Sequence, residues 1–204
     1  ATQNNSTGAG NATLTAADGG STIDVSAATG SGVAFTLNGG DGVDNITGST
    51  GVDIISGGAG ADIITIKSAG EANNDVIDGG DDVDILKLST GGTDTLTTDN
   101  KLTNVESIEA HASGSTVVLT NQGEAFTISG GLGIDNLTGG SGADIITGGA
   151  GSDTIVGGNG DDVITGGSDN DTLTGGNGND TFNIDLGFDT ISDLGGSDVL
   201  VVSS

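Results

Sequence analysis

Cysteine, proline, methionine, tryptophan, tyrosine and arginine are all missing from this 204-residue chain, and phenylalanine occurs only four times. Without cysteine there is no disulfide framework, no thiolate metal site and no thiol nucleophile, although zero cysteines is compatible with any compartment. No apolar run approaches the ~18 residues of a membrane span, so no membrane insertion is expected. No signal-peptide pattern opens the chain, and with no initiator methionine it is expected to be a segment or a processed product. Positive charge is nearly absent, with 3 basic residues against 29 acidic ones and a net charge of −26. That excludes nucleic acid as a partner, because phosphate contacts need Lys and Arg. It disfavours an anionic membrane surface for the same reason. A chain this acidic repels itself when compact unless something cationic binds it.

Glycine, with 41 copies, is the commonest residue. High charge and few large apolar residues would suit a disordered chain. Against that, Ile, Val and Leu recur at fixed spacing, a register that disorder does not require. The expectation is conditional order: unfolded without a cation, folded with one.

The register belongs to a nonamer. From Gly130 the chain reads GGLGIDNLT, GGSGADIIT, GGAGSDTIV, GGNGDDVIT, GGSDNDTLT, GGNGNDTFN without insertion. An earlier block from Gly39 reads GGDGVDNIT, GSTGVDIIS, GGAGADIIT, then IKSAGEANNDVID (Ile66 to Asp78, one unit with four extra residues), then GGDDVDILK. All eleven units carry Asp at position six and a large apolar residue at position eight. Ala34-Phe35-Thr36-Leu37 leads into the first block as Ala125-Phe126-Thr127-Ile128 leads into the second, and STIDVS (Ser21 to Ser26) parallels STVVLT (Ser115 to Thr120). Two modules are expected, residues 1–95 and 96–204, each a β-rich lead-in followed by an array (39–87 and 130–183). Residues 184–204 are expected to form a C-terminal cap. KLTNVESIEA (Lys101 to Ala110) has apolar residues at spacing three, yet its β-branched content favours a solenoid rung over a helical turn.

One unit, Gly148 to Val156, shows what the spacing implies. Its first six residues read as a turn and its last three as a short strand, with Ile155 inward and Thr154 and Val156 outward. Two units make an eighteen-residue coil, so units two apart stack at the ~4.8 Å strand spacing. Position-six carboxylates then form a column of like charges. At about 5 Å and an effective dielectric of ~20, each neighbouring pair costs roughly 3 kcal/mol. A divalent hard cation between them reverses that sign. Carboxylates plus backbone carbonyls suit Ca²⁺; Mg²⁺ demands a tighter octahedron, and Zn²⁺ wants His or Cys where only His111 exists. The expected fold is therefore an all-β parallel β-roll, or β-solenoid, with structural calcium in its turns, its binding energy contributing directly to folding.

The repeat GGxGxDxUx resembles the repeats-in-toxin (RTX) nonapeptide, which binds calcium. The resemblance covers about half the chain and implies a right-handed β-roll. It implies ions held by position-six carboxylates of stacked units together with carbonyls of positions one to four. Carried onto this sequence, Asp135 pairs with Asp153, Asp153 with Asp171, Asp144 with Asp162, and Asp162 with Asp180. In the first array Asp44 pairs with Asp62, Asp62 with Asp84, and Asp53 with Asp75 across the insertion. The implied glycine ligands of the first array are Gly39, Gly40, Gly42, Gly57, Gly58 and Gly60. The second array opens with Gly130, Gly131, Gly133, Gly139, Gly140, Gly142, Gly148, Gly149 and Gly151. It continues with Gly157, Gly158, Gly160, Gly166, Gly167, Gly175, Gly176 and Gly178. About seven ions, worth +14, would follow. Asp82 and Asp169 replace position-four glycines and Ser49 a position-two glycine. Missing or altered sites are therefore expected chiefly in the first array.

The same resemblance implies a calcium-dependent structural region of a secreted or cell-surface bacterial protein exported by type I secretion. NVESIE is similar to stretches of surface-layer proteins and large adhesins, which implies copies of the chain meeting in a lattice. The alternative is the RTX tail of a secreted enzyme or toxin whose catalytic domain lies outside this chain. No enzyme activity is expected here, since HExxH and GxSxG are absent and His111 has no evident partner. An ice-binding role would need an unbroken Thr rank. Position nine supplies Thr47, Thr65, Thr138, Thr147, Thr165 and Thr174 but is interrupted by Ser56, Val156 and Asn183. The tail Asp189 to Ser203 resembles segments that close such arrays, with Phe182 and Phe188 expected to seal the end.

Overall fold

A computed structural model describes residues 2–4, 12–28, 33–67, 74–96 and 101–202. Among these, every regular element is a β-strand and the strands pair in parallel, as a β-solenoid requires. The chain divides into two compact units, 1–89 with 98–107 and 90–97 with 108–204. Residues 101–107, placed above in the second module, therefore pack with the first unit. The reason is local: Leu102 pairs with Ile77 in register and is fully buried. Leu102–Thr103 and Ser107–Glu109 are strands, so the NVESIE segment forms rungs and no helical turn. The centre of the insertion, residues 68–73, and the inter-module stretch 97–100 lie outside the described residues.

In each unit successive strands alternate between two parallel ladders, and most rungs contribute one inward apolar residue; Asp94, buried in register with Val117, is an exception. In the first unit Ile23, Ile46, Ile64 and Leu86 stack in register on one ladder. Leu14, Leu37, Ile55, Ile77 and Leu102 stack on the other. The second unit repeats the plan with Val117, Leu137, Ile155, Leu173 and Ile191 on one ladder. Its facing ladder stacks Ile128, Ile146, Ile164, Phe182 and Leu200. Position eight is inward, as the period of two demands: Ile146, Ile155, Ile164 and Leu173 are fully buried. The position-nine residues divide between the two ladders, with Val156 lying between Thr138 and Thr174 in one rank.

The turn is shorter than the sequence implies. Strands such as Thr154–Asn159 run from position seven through position three of the next unit, so Gly-Gly-x belongs to the ladder. Gly158 pairs with Gly176 and Gly149 with Gly167 inside these strands. Position two can stay in the ladder because glycine accepts positive φ; Gly149 sits at φ 112. The remaining corner, positions four to six, is where Asp82 and Asp169 stand in for glycine. Both adopt positive φ, 77 and 82 respectively, and their rungs continue in register.

The C-terminal segment continues the roll. Thr190–Asp193 and Val199–Val202 add further parallel strands to the two ladders. Every residue of the last strand is exposed. Phe182 is fully buried as a position-eight residue, but Phe188 is 88% exposed because it occupies outward position five of its rung. Only one of the two aromatics therefore fills the interior.

Single substitutions should separate interior packing from backbone geometry. In saturating calcium, Ile164→Ala should cost ~2–5 kcal/mol in urea unfolding, as for other fully buried aliphatics. Gly149→Ala should be comparably damaging, since a Cβ there meets the Gly131 carbonyl oxygen and the φ is positive. Gly123→Ala, where nothing lies within 4 Å of the added Cβ, should be close to neutral.

Candidate metal centre

The corner of each rung ends in its position-six aspartate, and the strand that follows pulls that side chain inward. All eleven array aspartates are buried, at 0–2% exposure. Each column is threaded by one repeated hydrogen bond, in which a rung's backbone N–H donates to the carboxylate of the next rung. In the second unit Asp135 N–H donates to Asp153 Oδ1 and Asp153 N–H to Asp171 Oδ1, both at 2.8 Å. The companion column links Asp144 to Asp162 at 2.8 Å and Asp162 to Asp180 at 2.9 Å. In the first unit Asp44 is linked to Asp62 and Asp62 to Asp84, both at 2.7 Å. Asp53 N–H donates to Asp75 Oδ1 at 2.8 Å, so the insertion does not break that stack. Every aspartate pair expected from the repeat is thus brought together.

One carboxylate oxygen is used by that bond, and the other decides what the column can hold. Oδ2 of Asp44, Asp62, Asp84, Asp135, Asp153, Asp162, Asp171 and Asp180 is buried with no hydrogen-bond partner. Leaving a buried charged oxygen unsatisfied is expensive. Each of these oxygens faces the bare Cα of its own position-one glycine. A Cβ on Gly148 would meet Asp153 Oδ2 and the Gly166 carbonyl oxygen; one on Gly57 would meet Asp62 Oδ2 and the Gly79 carbonyl oxygen. Gly39, Gly130, Gly139 and Gly157 repeat this arrangement with the rung above. Carboxylate and carbonyl oxygens converging on a cradle that only glycine leaves open fit a hard, oxygen-seeking cation of the Ca²⁺ kind.

The position-two glycines of the ladder and the position-four glycines of the corner stack closely on the rung before. Gly149 lies against the Gly131 carbonyl and Gly151 against that of Gly133, as Gly58 and Gly60 lie against Gly40 and Gly42. Gly158 and Gly160 rest on Gly140 and Gly142, Gly167 on Gly149, and Gly176 and Gly178 on Gly158 and Gly160. Gly175 sits against Asp180 Oδ2 and Gly166 against Asp171 Oδ2.

Two aspartates differ. Asp53 Oδ2 accepts from Ser49 N–H at 2.8 Å and Ser49 Oγ–H at 3.0 Å, while its Oδ1 accepts from Phe35 N–H at 2.8 Å. Asp144 Oδ2 accepts from Gly140 N–H at 2.8 Å and its Oδ1 from Phe126 N–H at 2.7 Å. Both head a column directly after a lead-in phenylalanine, and protein donors satisfy both of their oxygens. The altered sites therefore include one in each array. Ser49 marks the first in sequence, whereas nothing in the regular GGSGADIIT unit marks the second.

The columns also run further than the nonamer pattern. Asp171 N–H donates to Asp189 Oδ1 at 3.1 Å and Asp180 N–H to Asp198 Oδ1 at 2.9 Å. Asp84 N–H donates to Glu106 Oε2 at 2.8 Å. The eighteen-residue spacing was the available signal for Asp189 and Asp198, since both continue it while their units, IDLGFDTIS and DLGGSDVLV, have no glycine at positions one and two. Glu106 follows the 22-residue coil of the insertion and has no such cue.

Burial is the main cause of the carboxylate pKa shifts. It pushes Asp84, Asp153 and Asp171 up to about 6 and Asp162 to about 7, with neighbouring aspartates adding to the rise and the backbone bonds opposing it. Asp62, Asp135, Asp144 and Asp180 are raised for the same leading reason.

Buried carboxylate columns in the glycine corners of a parallel β-solenoid define a metal-binding β-roll. The RTX calcium-binding nonapeptide repeat matches residues 36–65, 127–155, 147–182 and 156–191. The chain is an RTX repeat protein, and its arrays are calcium-binding repeats. No curated protein matches the chain. Calcium bound in such turns supplies positive charge; the chain supplies carboxylate and carbonyl oxygens held in register by the backbone bonds.

Protons and calcium compete for these oxygens. Between the ordinary aspartate value and about 7 the metal-free fold holds more protons than the unfolded chain, so its stability falls as pH rises through that window. Acidification to about pH 4.5 in chelator should therefore increase β structure by circular dichroism. At fixed calcium, a calcium electrode should register ion release over the same range. Asp153→Asn should weaken calcium binding severalfold, whereas Asp53→Asn, at a carboxylate already satisfied by protein donors, should change it little; isothermal titration calorimetry reads both.

Proposed function

We infer that this chain is a calcium-dependent structural region of a secreted or cell-surface protein, of the surface-layer kind, and that it carries no catalysis of its own. The observation that carries this reading is the row of buried, unpartnered Oδ2 atoms. Such columns are tolerable only where a divalent cation is abundant. Sites of this type on extracellular modules are tuned to ~10⁻⁴–10⁻³ M calcium. A chain whose ordering waits for that concentration stays extended in a low-calcium interior and folds after export. His111 supports a structural reading, since it sits on a surface turn with its ring Nδ1 2.7 Å from Ser113 Oγ. The finer surface-layer assignment rests on the acidic exterior, which a divalent ion can bridge between copies, and on the resemblance of NVESIE.

Small-angle scattering tests the reading. In chelator the radius of gyration should approach about 49 Å, the value for an unfolded chain of this length. It should fall cooperatively as calcium passes through ~10⁻⁴–10⁻³ M. Completion at submicromolar calcium would contradict folding after export. Electron microscopy of the calcium-loaded chain should show ordered sheets; persistent monomers at high protein concentration would remove the surface-layer assignment.

A further inference from the structure

The last coil of the second unit gathers three carboxylates where the arrays gather two. Asp185 occupies position two of the unit Ile184 to Ser192, a place held by glycine in most of the repeats above. It lies eighteen residues beyond Gly167, whose N–H donates to Asp185 Oδ1 at 3.3 Å. Asp189, at position six of the same unit, accepts from Asp171 N–H at 3.1 Å. One oxygen from each of Asp171, Asp185 and Asp189 lies within 4.8 Å of the other two, the only such cluster among the described residues. A second observation points to a ligand there. Asp171 is 2% exposed and its Oδ2 has no partner, and Asp189 Oδ2 is likewise buried and unpartnered. Among the described residues no basic side chain pairs with them, and both Asp185 and Asp189 raise the cost of ionising Asp171.

We propose that Asp171, Asp185 and Asp189 form a three-carboxylate cation site, distinct from the two-carboxylate array sites and the tightest calcium site of the second unit. Ligand charge count is a principal determinant of oxygen-site affinity for calcium, and a third carboxylate raises it by one. The extra charge also favours a trivalent lanthanide over calcium more strongly here than elsewhere in the column. The proposal rests on the reading that the arrays bind calcium, and it adds a ligand from a position that the repeat leaves to glycine.

Asp185→Asn isolates the charge, because the amide oxygen can still accept from Gly167 N–H. Competition with a calcium-chelating dye should resolve in the wild type one class of site about tenfold tighter than the rest, ~1.4 kcal/mol. Asp185→Asn should lose that class while keeping the β signal at saturating calcium, and Asp18→Asn, at an exposed residue of the first unit, should keep it. An unchanged tight class in Asp185→Asn overturns the proposal and leaves the calcium reading intact. A wild type that neither binds calcium nor folds with it overturns both. A measurement without variants guards against misfolding: one equivalent of Gd³⁺ added to the calcium-loaded protein should first broaden the amide resonances of residues 169–171 and 185–190. Broadening that begins uniformly along the array overturns the site.

Discussion

The stacking of aspartates at the rung spacing is the constraint on which the rest depends. The roll cannot place position-six carboxylates elsewhere, because the N–H of one rung's aspartate donates to the carboxylate of the next, from Asp135 through Asp153 and Asp171 to Asp189. That bond sets the register, and it also fixes like charges one strand apart. Burial raises the pKa values of Asp153, Asp162 and Asp171, and the neighbouring aspartates add to that rise. The interior cannot outweigh this conflict alone, since most rungs contribute one large apolar residue such as Ile155 or Ile164. Neutralising the second oxygen resolves the conflict, which makes ion binding and folding one event.

Each array also has a defined start. Asp53 and Asp144 stand at equivalent places after Phe35 and Phe126, and in both the free oxygen is taken by a backbone N–H of the same turn. The duplicated lead-in thus reproduces a duplicated solution at the head of one column in each unit, whereas Asp44 and Asp135, which head the companion columns after Ser21 and Ser115, keep an unpartnered Oδ2. In the first unit Ser49 adds its hydroxyl; in the second, Gly140 provides the N–H alone.

Much of this was legible in the sequence because the code is periodic. The nonamer fixed which residues point inward, the eighteen-residue coil and the aspartate pairs, and it carried through the insertion to Asp75. What escaped was local backbone geometry. Gly149 and Gly158 extend the ladder through the paired glycines because positive φ is compatible with continued pairing, which composition alone cannot reveal. Asp189 and Asp198 were hidden because their units lack glycine at positions one and two, and Phe188 because an apolar residue at an outward position resembles a plug. The division near residue 97 was obscured by segment 101–107, whose Leu102 completes the first unit's ladder.

Far-ultraviolet circular dichroism at neutral pH, following a calcium titration against sodium chloride at matched ionic strength, tests the central claim most directly. Coordination predicts a cooperative β signal with calcium, its reversal by chelator, and little response to sodium, because screening does not satisfy a buried Oδ2. A full β spectrum in chelator, or an equal response to sodium chloride, would show that the columns are tolerated without a bound cation and would contradict the account.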